Sequence, residues 1–325
     1  MKIAVTGANG HVGANLCRTL VAEGHQVKAL VHVNSQSLTG LNIECISGSL
    51  EDEGSLRRLC KDVEIVFHLA AMISIDGKKN KLLKVNVDGT TRLLNILREN
   101  GVKRLIHFSS IHALSHFPLD EPMDETRPLV EKGPMWYEIT KAQAEKLVLK
   151  AVSEGLDTVI INPTAIIGPN DFKPSLVGQV LIRLYNRTLP ALVPGGYNWV
   201  DVRDVVDGAI AAMDKGRSGE RYILGGQWMS VQDLALLVEK TTGRKITRFM
   251  IPQAVAKVGV PFIKAYAFMA GTEPLYTFES LRALREVNKT ISHEKAIREL
   301  GYQSRDFEDT VRDTIQWFRY NGYID

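Results

Sequence analysis

The first strand-like run, Lys2 to Thr6, leads directly into Thr6-Gly7-Ala8-Asn9-Gly10-His11-Val12-Gly13, which places three glycines ahead of an amphipathic stretch. This order of strand, glycine turn and helix constrains the fold more than any other feature of the chain. Gly7 permits a tight turn, Gly10 lets a backbone approach a pyrophosphate, and Gly13 allows close helix packing. The helix N-terminus adds unpaired N–H donors for phosphates. The segment therefore reads as a dinucleotide-binding loop at the head of a βαβ unit.

The following residues extend the same plan. Short β-branched runs at Gln26 to Val31, Ile43 to Ser47, Glu64 to Leu69, Arg104 to Ser109 and Thr158 to Asn162 alternate with amphipathic segments, the pattern of a parallel sheet covered on both faces. Val12 to Glu23 ends at Gly24 and Leu82 to Asn100 ends at Gly101, two helix stops. The expected fold class is α/β, a Rossmann-type doubly wound parallel sheet with a smaller, mostly helical C-terminal substrate region. Residues 1–168 are expected to form the nucleotide-binding domain, with 198–226 returning to it. Residues 169–197 and 227–305 would form the substrate region, and 306–325 a C-terminal helix carrying Val311, Ile315 and Phe318 at helical spacing.

Composition narrows the partners. Forty Lys plus Arg against 37 Asp plus Glu leave a net charge of +3, too small and scattered for a nucleic-acid face. Cys17, Cys45 and Cys60 form no C-x-x-C pair, which suggests reduced thiols and a cytoplasmic setting, and no metal-ligand spacing is evident. The N-terminus lacks the pattern of a secretory signal. The longest apolar stretch, Ala254 to Gly271, is broken by Lys257, Pro261 and Lys264, so no membrane span is expected. A buried helix is the favoured reading there, with a lid or a membrane-touching helix as alternatives.

Tyr137 and Lys141 are four apart in a helical stretch, which places phenol and ammonium one turn apart on one face. Carbonyl reduction needs such a pair, because a phenol with an ordinary pKa near 10 works poorly at neutral pH unless a cation stabilises its phenolate. At roughly 5 Å and an effective dielectric near 20, that attraction is about 3 kcal/mol. Ser109 and Ser110 end the fifth strand at the sheet edge where ligands bind, and either hydroxyl could polarise the same carbonyl oxygen.

The three-then-three glycine spacing, with the serine pair and Tyr-x-x-x-Lys in this order, resembles the extended branch of the short-chain dehydrogenase/reductase superfamily, the NAD-dependent epimerase/dehydratase family. The resemblance covers essentially the whole chain and is specific up to about Asp204. It implies Ser110, Tyr137 and Lys141 as the catalytic residues, with Lys141 also holding the nicotinamide ribose. It implies cofactor contacts from Thr6, Gly7, Asn9, Gly10, His11, Val12 and Gly13, and from Ser49 and Leu50 beside the adenine. Leu69, Ala70 and Ala71 would run beneath the cofactor, and Asn86 and Ser109 would order its side of the site. Asn162, Pro163 and Thr164 would meet the nicotinamide amide, largely through backbone.

The acid that would hold the ribose hydroxyls of NAD belongs about 20 residues beyond the glycine loop. Ala29 to Ser35 contains no carboxylate, while His32, Asn34 and Ser35 could donate to a 2′-phosphate, so NADP(H) is the expected cofactor and NAD the alternative. His68 reads as a packed sheet histidine.

Ile111-His112 follows Ser110 where the family's dehydratases carry Asp-Glu, and Ser-Ser-Ile with Asn162-Pro163 resembles dihydroflavonol 4-reductase and 3β-hydroxysteroid dehydrogenase relatives. The resemblance implies hydride transfer between NADP(H) and a small or medium-sized aldehyde, ketone or secondary alcohol. The alternatives are an NDP-sugar epimerase, with Lys173, Arg183, Arg187 and Arg203 as cations for the diphosphate, and a non-catalytic NADP(H)-binding protein. His112 is either a turn residue or part of the substrate mouth. Phe117, Tyr197, Trp199, Phe262 and Tyr266 either wall an apolar pocket or fill the core. Leu82 to Asn100 and Met135 to Val152 are the helices that relatives pair across a two-fold axis, which implies a homodimer.

Overall fold

The computed structural model describes residues 1–32, 36–73, 79–189, 191–246, 249–269, 277–285 and 288–325; the side chains of 264–268 and 279 are also outside the described set. Asn34, Ser35 and the Tyr266 side chain, named above, fall outside it.

The first half alternates as its periodicity requires: β1 (Lys2–Thr6), α1 (His11–Ala22), β2 (Gln26–Val31), β3 (Ile43–Ser47), α2 (Glu53–Cys60) and β4 (Ile65–His68). Next come α3 (Lys79–Leu82), a π-helical stretch (Leu83–Asp88), α4 (Gly89–Glu99), β5 (Arg104–Phe108), α5 (Trp136–Ser153) and β6 (Thr158–Pro163). The second half holds β7 (Ala165–Ile167), α6 (Leu176–Tyr185), β8 (Gly196–Asp201), α7 (Val202–Lys215), β9 (Arg221–Leu224) and β10 (Gln227–Ser230). It ends with α8 (Val231–Thr242), α9 (Gln253–Met269), α10 (Phe278–Arg285), α11 (Glu294–Leu300) and α12 (Phe307–Tyr320).

Seven parallel strands form one sheet in the order β3-β2-β1-β4-β5-β6-β9. Strand order reverses between β1 and β4, and a ligand crevice opens at the carboxyl ends of strands at such a switch point. Alternate residues of the central strands face opposite helical layers. Ile3, Val5, Phe67 and Ile106 pack with Leu16 and Leu20 of α1 and Val205 and Ala209 of α7. Ala4, Val66, Leu105 and Ile160 pack with Leu56 of α2, Leu93 of α4 and Val148 of α5. Each fully buried leucine contributes about 2 kcal/mol. This two-sided burial explains why the strands read as continuous apolar runs.

The expected return of residues 198–226 to this sheet divides in the structure. β9 joins β6, but β8 pairs with β7 and β10 in a separate three-stranded sheet. That small sheet covers a second core of Leu181, Trp199, Leu234, Phe307 and Phe318. Trp199 stacks on Phe307 and meets Tyr197 edge-on, so both aromatics serve packing rather than a pocket wall. The helix over the apolar stretch is not the expected buried one. Ala256 and Val260 are buried, but Val255, Val258 and Phe262 of α9 are 55%, 71% and 75% exposed. Its apolar character thus exceeds what the core uses. Among the described residues no helix is long and apolar enough to cross a membrane.

The glycine loop folds back on itself. Gly7 adopts φ +70°, and a Cβ there would lie 2.7 Å from Ala70 N. A Cβ on Gly13 would lie 2.2 Å from Gly7 O and 2.7 Å from Ala8 Cα, so Gly13 is required by closeness to its own loop rather than to the sheet. At Gly10 the only near atom is Gly7 O, at 3.3 Å. Gly13→Ala should therefore lose about 1–3 kcal/mol through backbone overpacking, while Gly10→Ala, at a helix N-cap, should lose less than about 1 kcal/mol. Urea unfolding of the two variants compares them directly, and equal losses would contradict this division of roles.

Candidate active site

The carboxyl ends of β1, β4, β5 and β6 converge on one edge with the N-terminus of α5. Two buried polar networks fix the side chains there. The first starts at Thr6, the last residue of β1. His68 Nδ1 lies 2.7 Å from Thr6 Oγ1, and His68 Nε2 lies 3.1 Å from Thr90 Oγ1. Thr90 Oγ1 donates to Asn86 O at 2.7 Å, so it accepts from Nε2–H of the imidazole, and Nδ1 accepts from the Thr6 hydroxyl. Thr6 Oγ1 in turn accepts from Ala70 N at 3.2 Å. Burial, reinforced by the Lys141 charge, pushes the His68 pKa down to about 3. The ring is thus neutral, as this donor pattern demands.

Asn86 carries the network onward. It sits in the π-helical stretch, a rare geometry that recurs at functional sites. Its Oδ1 accepts from Met72 N at 2.7 Å, and its Nδ2 donates to Met72 O at 3.0 Å and Thr140 Oγ1 at 3.2 Å. Thr140 then donates to Tyr137 O at 3.1 Å. A continuous chain therefore joins the end of β1 to the first turn of α5.

The second network lies beneath that helix. Glu145 is fully buried; its carboxylate accepts from Ser109 Oγ at 2.5 Å and Asn162 Nδ2 at 3.1 Å, and pairs with Arg221 Nε. Asn162 Nδ2 also donates to Ser110 O at 3.0 Å. The Asn162 amide and the Ser109 hydroxyl are engaged by Glu145 and the strand end, because a buried carboxylate must collect donors. The sequence reading passed over Glu145, although it lies one helical turn beyond Lys141 on the buried face of α5.

Ser110, just beyond β5, and Tyr137, in the first turn of α5, lie close enough for the Ser110 side chain to act on the phenol. Burial raises the Tyr137 pKa above its ordinary value, the Ser110 side chain opposes the rise, and Glu138 adds to it. Lys141 lies one turn further along α5. Its Nζ donates to Phe108 O at 2.7 Å, and burial pulls its own pKa down to about 8, with Glu145 opposing. The ammonium is thus one proton loss from neutrality near working pH. His112 meets the Tyr137 ring edge-on at 6.3 Å. A cavity of about 550 Å³ opens on that flank, lined by His112, His116, Phe117, Met135 and Glu138 among others.

At the other end of the edge, the protein side of a dinucleotide site can be tested. α1 begins at Gly10, which is exposed, and no side chain caps its first-turn N–H groups, which fits a pyrophosphate. Asn9 O accepts from Ser37 Oγ at 3.3 Å, which ties the loop to the segment after β2. His11 Nε2 lies 3.1 Å from Gly168 O and 3.0 Å from Pro169 O, so its side chain ties α1 to the bend after β7. Val12 is partly buried against the first core. His32 is exposed, within electrostatic reach of Glu51, whose carboxyl is held below its ordinary range by the hydrogen bond from Lys84. Ser49 Oγ accepts from Glu51 N at 3.2 Å, and Leu50 is buried where a Cβ on Gly89 would strike it. Leu69 and Ala71 are partly buried, and Leu69 N donates to Thr6 O at 3.2 Å. Pro163 pairs with Leu224 in β9, and Thr164 Oγ1 is buried without a hydrogen-bond partner among the described residues.

Two outcomes test these networks. Glu145→Ala removes the carboxylate that pairs with Arg221 and accepts from Ser109 and Asn162, and should cost about 3 kcal/mol in urea unfolding, with Glu145→Gln recovering part of the loss. For Lys141, the folded pKa of about 8 lies below the ordinary 10.5, so the unfolded chain binds the extra proton between those values and stability rises with pH there. Below pH 8 the cost of the buried charge is fully present, on the order of 3 kcal/mol. Lys141→Met should therefore gain most over the parent protein at pH 7, and the gain should shrink as pH climbs toward 10.5 in thermal unfolding.

Comparison with known proteins agrees with this architecture. The model of the NAD dependent epimerase/dehydratase family matches residues 3–225. Sterol demethylase protein B of Methylococcus capsulatus is 36% identical over the full length of both chains. A putative dihydroflavonol 4-reductase of Synechocystis is 32% identical over 98% of this chain and 95% of its own. The crystal structure of gox2253 superposes with a TM-score of 0.85 at 34% identity, covering 99% of both chains. From its glycine loop to β9, the chain belongs to the NAD-dependent epimerase/dehydratase family and is an NAD(P)-dependent enzyme of the extended short-chain dehydrogenase/reductase type.

Proposed function

We propose that this enzyme transfers a hydride reversibly between NADP(H) and a small or medium-sized, partly apolar ketone, aldehyde or secondary alcohol. The observation that carries the reading is the meeting of Ser110, at the end of β5, with Tyr137 and Lys141, one helical turn apart on α5, at one sheet edge, where the Ser110 side chain acts on the phenol. When bound, the nicotinamide supplies or accepts the hydride. In the reductive direction the Ser110 hydroxyl polarises the substrate oxygen, and Tyr137 delivers a proton to that oxygen as the carbonyl carbon gains the hydride. Lys141, positioned by Phe108 O, is the cation available to stabilise the resulting phenolate.

The names of the two curated relatives, a sterol demethylase protein and a putative dihydroflavonol reductase, support a partly apolar polycyclic substrate. NADP(H) is supported by the lack of a carboxylate from Ala29 to His32 and by the exposed His32. A homodimer through α4 and α5 remains part of the proposal on the family resemblance. The epimerase reading is less well supported. It needs cations for a diphosphate, and Arg203 is taken by Asp201 at 2.7 Å and Asp313 at 2.8 Å.

The test follows NADPH absorbance with a panel of steroid, flavonoid and aliphatic ketones, and UDP- and GDP-sugars in parallel. Tyr137→Phe should lower the rate by about 10²- to 10⁴-fold. Interconversion of a sugar nucleotide without turnover of any carbonyl would replace this reading by the epimerase.

A further inference from the structure

His112 and His116 lie four residues apart after β5, and Glu138 follows Tyr137 in the first turn of α5. One ligand atom from each lies within 4.8 Å of the other two. The three side chains line the cavity beside Tyr137. His116 is only 9% exposed, and neither of its ring nitrogens has a hydrogen-bond partner among the described residues. His112 Nδ1 is likewise buried without a hydrogen bond, although it stands 3.3 Å from Glu138 Oε1. Unsatisfied nitrogens of this kind cost about 1–3 kcal/mol each, so their clustering calls for a partner.

The segment carrying these histidines is held from outside. Arg127 donates to the carbonyls of Phe117, Pro118, Glu121 and Pro122 at 2.6–3.1 Å. Ser115 N donates to Pro128 O at 2.8 Å, and Val130 N to Ala113 O at 2.9 Å. The histidines are therefore placed by a closed loop against a helix terminus, with His112 N also donating to Ser110 Oγ at 3.2 Å.

We propose that His112, His116 and Glu138 form a binding site for one divalent transition-metal ion of the zinc class, with an open coordination position facing the substrate cavity. Two imidazoles and one carboxylate suit zinc or cobalt rather than magnesium or calcium, which take oxygen ligands. Tetrahedral ligands at about 2.1 Å from one ion stand about 3.4 Å apart, so the side chains need to close by up to about 1.4 Å, within reach of side-chain rotation. The ion would grip an oxygen of the substrate or a water on the Tyr137 flank.

The test uses the full chain stripped with a chelator, titrated with Zn²⁺ by calorimetry and with Co²⁺ by visible absorption. One ion per chain with cobalt d–d bands is expected. His112→Ala, His116→Ala and the near-isosteric Glu138→Gln should each weaken binding by more than about 100-fold, beyond the effect of losing an outer-shell partner. Circular dichroism checks that each variant is folded. Cys45→Ser should leave binding intact, since Cys45 is the exposed thiol. No saturable binding, binding that survives folded Glu138→Gln, or binding lost in Cys45→Ser would overturn the site.

Discussion

The active-site edge depends on a neutral, buried imidazole. His68 accepts a hydrogen bond from Thr6 and donates one to Thr90, and this polarity runs through Asn86 and Thr140 to the backbone of Tyr137. A charged ring could not accept from Thr6, and desolvation keeps it uncharged. The chain joins the strand end that opens the glycine loop to the helix that carries Tyr137. Elements more than a hundred residues apart in sequence are thereby held in one register. Such a network is sensitive to any member that loses its partner, because each polar atom is far from water.

Beneath it, charge is managed differently. Lys141 and Glu145 are one turn apart on α5, and both are buried. Glu145 gathers Ser109, Asn162 and Arg221, while Lys141 rests on a backbone carbonyl and shifts toward its neutral form. The carboxylate thus works as a structural centre that fixes the end of β5, and the amine remains the group poised to change its charge. This division explains why a serine and an asparagine near the site are occupied with holding the strands in place.

The second half follows weaker rules. Its strands are short, its sheet has three members, and β8 pairs with β7 and β10 although its neighbours β6 and β9 belong to the large sheet. Single-sequence periodicity shows that a strand exists but not which neighbour it pairs with, since both choices bury the same residues. The same limit applies to α9. Its apolar residues surround the helix, and only packing against the second core reveals that Ala256 and Val260 face inward while Val258 and Phe262 face out.

The sequence by itself determined the α/β architecture, the glycine loop and the order Ser110, Tyr137, Lys141, because these are local: a backbone that must turn tightly needs glycine, a strand buried on both faces needs an apolar run, and two residues four apart on a helix share a face. Tertiary structure decided everything that depends on which distant groups share a low-dielectric space. It gave Asn162 and Ser109 to Glu145, turned His11 toward the bend after β7, directed Lys141 to Phe108, and brought His112 and His116 against Glu138. A buried donor or acceptor takes whichever partner the packed chain places within reach, and spacing along the sequence does not reveal that partner.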